Sequence, residues 1–347
     1  MTDSADVVWY SPKEKPFRIS GFAWFEQEKA YRRLPREPKE ALPAAVDFLA
    51  NCTAGGQIRF QTNSSRLSVK VRLSGAADMN HMPATGQCGF DCYIGAIGEK
   101  MYCNTTKYDH TQKSYEFIMF QNMDRGLQPV TLYFPLYMGV EEVLVGLDAG
   151  AEVAPPPPYA SDKRVVIYGT SITQGGCASR PGMAYSNILS RKLPVEFINL
   201  GFSGSGKGEA EVARTIADIP NPSLLVLDYE ANCVSPELFQ STLPEFVRIY
   251  REKHPDVPII VLSQIRFGGE AFDSGVRELR LKRKQIQLET VGAYRERGDA
   301  NVFFVDGEPM LGDSYNECTV DGVHPTDLGF FRMAEYLEPV LQSHLKR

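Results

Sequence analysis

No apolar run in the sequence approaches the ~18 residues that a membrane-spanning helix needs, so no membrane segment is expected. No Lys/Arg tract stands out either. The formal net charge is −6, from 37 basic and 43 acidic residues, which argues against binding to a nucleic-acid backbone. The opening stretch MTDSADVVWYSPKEKPF has no basic segment followed by an apolar one, so no secretory leader is expected and the location reads as cytoplasmic. Cysteine is sparse and scattered: Cys52, Cys88, Cys92, Cys103, Cys177, Cys233 and Cys318 make an odd set of seven with no C-x-x-C. That excludes a disulfide framework and points to reduced thiols. Cys88, Cys92 and Cys103 lie close in sequence but lack a paired His/Cys half, so no zinc site is expected from them. Only five histidines occur, which makes the setting of each one informative.

What is present is a large globular composition. Of 347 residues, 43% are apolar and 23% charged, enough to bury a sizeable core and too apolar for a disordered chain. At ~150 residues per domain the length suggests two. The sharpest boundary is Pro155-Pro156-Pro157-Pro158, which can neither continue a helix nor donate to a central strand and favours an extended spacer. The expected division is residues 1–154, a linker at 155–162, and residues 163–347.

The first unit reads as all-β. Leu67, Val69, Val71 and Leu73 alternate with Arg66, Ser68, Lys70 and Arg72, the period of a half-buried strand. Further strands are expected at Phe17–Phe25, Gln57–Thr62, Gly89–Gly95, Ser114–Phe120, Pro129–Met138 and Glu142–Leu147, which suggests a sandwich or jelly roll. Tyr133, Phe134 and Tyr137 are expected in its core. The second unit alternates short apolar strands (Arg164–Tyr168, Val195–Leu200, Leu224–Asp228, Pro258–Leu262, Val302–Val305) with helix-length stretches at Pro236–Lys253, Asp273–Arg297 and Thr326–Leu345. That is an α/β unit with a buried, flavodoxin-like, doubly wound parallel sheet. The basic run Arg277–Lys284 is expected on a solvated helix face.

In such sheets chemistry sits beyond the carboxyl ends of the strands. Ser171 follows the first strand in Gly169-Thr170-Ser171, where helix-start N–H groups lack internal partners and can bind an oxyanion. An ordinary helix cap is the competing reading there. Gly204 lies in the glycine-rich loop after the second strand. Asn232 follows the third strand, where a side-chain amide can donate to a developing oxyanion. His324 stands three residues after Asp321, so a carboxylate can hold its imidazole in one tautomer without a third element. The loop Gly201–Gly208 also approaches a phosphate-binding G-x-x-x-x-G-K pattern, but Gly208 replaces the hydroxyl residue that would hold Mg²⁺.

Taken jointly, a Ser, a Gly, an Asn and an Asp-x-x-His at successive positions along one sheet edge resemble the SGNH (GDSL-type) hydrolase family, over roughly residues 163–345. The usual G-D-S block here reads Gly169-Thr170-Ser171, and the G-x-N-D block reads Glu230-Ala231-Asn232-Cys233. Gly89-Phe90-Asp91-Cys92-Tyr93 also resembles the G-x-D-L-Y signature of a β-sandwich that precedes some of these hydrolases. The resemblance implies a bacterial source and a serine esterase acting on short acyl, above all acetyl, esters of carbohydrates. It implies Ser171 as nucleophile, His324 as base and Asp321 as its orienting acid. Ser171, Gly204 and Asn232 would form the oxyanion hole, with no metal or organic cofactor. Arg180, Tyr185 and His81 are further candidates for substrate contact. An acyltransferase using the same triad and a non-catalytic carbohydrate-binding protein are the alternatives. The oligomeric state is not readable from the sequence.

Overall fold

The computed structural model describes residues 6–124 and 126–345. The strands of the first half are β1 (Val7–Tyr10), β2 (Arg18–Ser20), β3 (Gln57–Thr62), β4 (Leu67–Leu73), β5 (Asp91–Ile94), β6 (Met101–Thr105), β7 (Ser114–Phe120), β8 (Gln128–Tyr133), β9 (Val140–Asp148) and β10 (Val153–Ala154). They pair antiparallel in two sheets, ordered β1-β9-β4-β7 and β10-β3-β8-β5-β6, with β2 also on β3. Ile58, Phe60, Val130 and Leu132 from one sheet meet Val69, Val71, Val145 and Leu147 from the other in a single core. Along β4 the alternation appears as expected, with Lys70 and Arg72 exposed, except that Ser68 is also buried.

Two expected strands are shorter than their apolar pattern. The first stops at Ser20 because Gly21 takes φ +87°, and a Cβ there would sit 2.2 Å from the Gly55 carbonyl oxygen. The one beginning near Pro129 stops at Tyr133, ahead of Pro135, and its continuation turns away from the sandwich. Phe134 stays in the sandwich core, but Tyr137 packs against the core of the second half instead.

The second half is built on β11 (Arg164–Gly169), β12 (Glu196–Gly201), β13 (Pro222–Asp228), β14 (Ile259–Leu262) and β15 (Val302–Val305), all parallel, in the order β12-β11-β13-β14-β15. This is the doubly wound order in which the first strand lies inside the second. Side chains alternate across the sheet. Val166, Tyr168, Leu225 and Leu227 pack with helices Ala210–Ala217 and Pro236–Lys253 on one face. Val165, Ile167, Leu224 and Val226 pack with helices Tyr185–Lys192 and Asp327–Leu345 on the other.

The two halves share these cores. Ala23, Leu34, Val46 and Ala50 belong to the first, and Ala54, Met82 and Leu136 to the second. The proline stretch lies pinned rather than free, with Arg59 donating to the Pro157 carbonyl at 2.7 Å and Gln61 to that of Pro155 at 2.7 Å.

The basic run is a correction to the sequence reading. In the 23-residue helix Ser274–Glu296, Arg277 and Lys282 are exposed, but Arg280 and Arg283 are buried. Arg280 bridges Glu270 and Glu308, and Arg283 donates to the Cys233 carbonyl. A helix turns 3.6 residues per revolution, so one basic run supplies both a solvated and an inward face.

All seven cysteines are free. No helix among the described residues is long and apolar enough to cross a membrane.

Candidate active site

Ser171 opens a four-residue helix, Ser171–Gln174, directly after β11. The cap is Thr170, not Ser171: its hydroxyl accepts from the Ile172 N–H at 3.2 Å. The Ser171 hydroxyl is therefore not needed for capping. Its carbonyl is fixed by the Gly176 N–H at 2.8 Å and by the Tyr137 hydroxyl at 3.1 Å. Behind the turn, Thr173 and Tyr185 both donate to Asp228 Oδ2 at 2.8 Å. Burial raises the Asp228 carboxyl to about 6, with the two hydroxyls pulling the other way.

His324 arrives from the loop before the last helix. An isolated bridge between Thr319 and Pro325 closes that loop, and the Gly268 N–H donates to the Gly322 carbonyl at 2.7 Å. Asp321 Oδ1 accepts the N–H groups of Val323 at 3.0 Å and His324 at 2.8 Å, while Oδ2 lies 2.7 Å from His324 Nδ1. His324 Nε2 lies 2.9 Å from Ser171 Oγ. Burial raises the Asp321 carboxyl, but the hydrogen bonds from His324 and Val323 outweigh it and hold it below the usual range.

The second-strand loop forms the far wall. Gly204 turns it at φ +64° with open space where a side chain would stand. One N–H of the Asn232 amide is used to hold the Phe202 carbonyl at 3.0 Å, and the amide has a second to offer. Gln174 accepts the Ser203 N–H at 3.1 Å. The N–H groups that a phosphate would need further along are taken internally: Lys207 donates to Glu209 at 3.1 Å and Gly208 to the Tyr168 hydroxyl at 2.9 Å.

Of the three further candidates, the structure brings one to His324. His81, from the sandwich half, meets His324 edge-on, with ring centroids 5.7 Å apart. Its loop is pinned by Gln87, which accepts the N–H groups of Asp78 and Met79 and donates to Asp78.

Arg180 points elsewhere. It donates to Asp91 at 2.8 Å and to the Tyr93 hydroxyl at 2.6 Å, and Asp91 also accepts the Gly182 N–H at 2.7 Å. The Asp and Tyr of the Gly89–Tyr93 signature thus clamp one half to the other. Tyr185 is fully buried, with its hydroxyl on Asp228, so it has no surface to offer a substrate.

Two contributors were missed by sequence reasoning. Tyr137 was read as sandwich core. Arg33 is fully buried, donates to the carbonyls of Gly201, Cys52 and Leu49, and lies over the Phe202 ring. Neither stands in a motif; the one local cue, Pro135 two residues before Tyr137, shows only that the strand ends.

With this geometry in view, comparison with known proteins places the chain. Residues 162–342 match the GDSL-like lipase/acylhydrolase family, and residues 7–153 match the N-terminal region of SGNH-type esterases. The chain belongs to the GDSL-like lipase/acylhydrolase family, a class of ester-hydrolysing enzymes.

Among solved structures it is similar to a GDSL-like lipase-family protein from Bacteroides ovatus ATCC 8483, at 32% identity and TM-score 0.90 over 98% of each chain. It shares its fold with the salicylyl-acyltransferase SsfX3 of a tetracycline biosynthetic pathway, at 21% identity and TM-score 0.78 over 97% of each chain. The same holds for a family two carbohydrate esterase from Cellvibrio japonicus, at 15% identity and TM-score 0.64 over 98% of each chain. No curated protein matches the sequence.

Proposed function

We propose that this protein is a serine esterase that removes short acyl groups, acetyl above all, from carbohydrate esters through an acyl-enzyme on Ser171. The observation that carries this is the hydrogen-bonded chain Ser171 Oγ–His324 Nε2 at 2.9 Å and His324 Nδ1–Asp321 Oδ2 at 2.7 Å. Ser171 Oγ attacks the ester carbonyl as its proton passes to His324 Nε2. Asp321 steadies the imidazolium. The oxyanion is held by the N–H groups of Ser171 and Gly204 and by the second N–H of the Asn232 amide. Collapse expels the alcohol, which takes the proton from His324. A water then enters the place the alcohol left and attacks the acyl carbonyl as His324 Nε2 takes its proton, and that proton returns to Ser171 Oγ as the acid leaves. In this reading residues 163–347 supply the chemistry, and residues 1–154, through the His81 loop, form part of the wall against which the alcohol portion lies.

The carbohydrate assignment draws on the family two carbohydrate esterases that share the fold, one of them from Clostridium thermocellum in complex with cellohexaose. SsfX3, an acyltransferase of the same fold, supports a second reading in which an alcohol replaces water in the second step.

The test compares wild type with Ser171→Ala on p-nitrophenyl acetate and butyrate and on acetylated sugars. Wild-type activity that falls by several orders of magnitude in a folded variant supports the proposal. Equal activity in both overturns it. Product formation that shifts from acid to new ester when alcohols are added favours the transferase reading.

A further inference from the structure

We propose that His81, Cys177 and His324 form a binding site for zinc, and that its occupation switches the esterase off. Each offers one ligand atom, and the three atoms lie within 4.8 Å of one another. They come from three separate segments: the His81 loop of the sandwich half, the turn that follows Ser171, and the Asp321–His324 loop. Tetrahedral zinc, with bonds of about 2.0–2.3 Å, spaces its nitrogen and sulfur ligands roughly 3.3–3.6 Å apart. Closing the set needs shifts on the order of 1 Å, shared among the side chains.

The donor set suits the metal. Two imidazoles and a thiolate select zinc over magnesium or calcium, which take oxygen ligands. The surroundings suit it as well. A metal-bound histidine ordinarily gives its other ring N–H to a carboxylate or carbonyl, which fixes the tautomer. His324 already has that partner, with Nδ1 2.7 Å from Asp321, which leaves Nε2, now 2.9 Å from Ser171 Oγ, as the ligand atom. His81 has one too, with Nδ1 3.1 Å from the Asn80 side-chain oxygen. Cys177 is buried and held at φ +72° between Gly176 and Ala178, so its sulfur has a fixed origin. On binding, the thiol gives its proton to solvent and the sulfur becomes an anionic ligand. Three protein ligands leave a fourth position for water or for Ser171 Oγ.

The inhibition follows from one electron pair. The Nε2 lone pair that faces Ser171 Oγ at 2.9 Å is the one that a zinc ion would take. With the metal bound, no base is left to accept the serine proton. The inhibitory half of this inference rests on the proposed triad; the binding half does not.

The experiment uses the full chain, reduced with a phosphine and freed of metal. Cobalt(II) is the spectroscopic probe and zinc the inhibitor. Wild type and Ser171→Ala are both expected to show a thiolate-to-cobalt charge-transfer band at one equivalent, and Cys177→Ala to lack it. Zinc is expected to abolish wild-type esterase activity at near-stoichiometric concentration, and a chelator to restore it. His81→Ala and Cys177→Ala, each measured against its own metal-free rate, are expected to need at least ~10–100-fold more zinc, no less than loss of an outer partner costs a metal site. Alanine at 177 meets the same left-handed backbone as cysteine, so the substitution adds no backbone strain, and circular dichroism checks that the variant is folded.

No charge-transfer band in the wild type, or equal zinc sensitivity in all the proteins, overturns the proposal. An absence of esterase activity in every protein would instead overturn the esterase reading, while the cobalt band still decides the metal site.

Discussion

Asp321 divides its carboxylate between two tasks. One oxygen accepts two backbone N–H groups and shapes the loop; the other faces the imidazole. An Asp321→Asn variant keeps the shape but can present the wrong hydrogen-bonding group to His324 Nδ1. It is expected to lose ~10⁴ in kcat on p-nitrophenyl acetate while its circular dichroism stays unchanged. Asn232→Ala removes one of the proposed oxyanion donors and is expected to lower kcat by ~10²–10³, with KM moving far less. A loss confined to KM would remove Asn232 from that role. The meeting of Asp321, His324 and Ser171 was legible because Asp-x-x-His is local and because Ser171 follows a recognisable strand. Tyr185 was misread because nothing local reveals that its hydroxyl would meet Asp228, 43 positions away.

At the scale of elements, β13 ends on the carboxyl group of Asp228, and the turn after it carries the buried carboxyl group of Glu230. Burial raises Glu230 from its ordinary 4.5 to about 8; Arg283 and Arg280 pull it back and Asp228 pushes it further. The folded protein therefore keeps a proton that the unfolded chain releases between about 4.5 and about 8, and stability falls with rising pH across that window. Glu230→Gln copies the protonated form. Its melting temperature is expected to gain on wild type progressively through the same window and to level off above it. A gap that does not change with pH in calorimetric melts would contradict this assignment. The strands and long helices of the parallel-sheet half were readable within a residue or two because a continuous apolar strand and a 3.6-residue stripe are strong local signals. β1, β6 and β10 were not. They are short edge segments whose pairing, such as Val153 with Thr62, is decided by a distant partner.

For the whole molecule, the Gly89–Tyr93 signature acts as a clasp. Asp91 has no exposed side-chain surface and Arg180 is 19% exposed, so Arg180→Ala leaves a carboxylate buried without its counter-charge. The expected loss is ~3–5 kcal/mol in urea unfolding, partly recovered by adding Asp91→Asn. An Arg180→Ala protein as stable as wild type would show that the clasp carries no load. The order of antiparallel sheets followed by a parallel sheet was visible in the change of periodicity. The interlocking was not, because Leu34, Val46, Met82 and Leu136 look like any apolar residues until the partner half is folded against them.

Those shared cores bear on how such an enzyme can diversify. Exchanging one entire half for that of a distant relative would strand apolar surface on both pieces, so recombination at the proline stretch is a poor route to new activity. The segment from Asp78 to Pro83 is different. It reaches His324 through His81 yet is tied down mainly by Met82 and Gln87, so, with this loop in its proposed role as a wall of the site, drift in these few positions would alter which alcohol fits while the Ser171–His324–Asp321 chain is inherited intact.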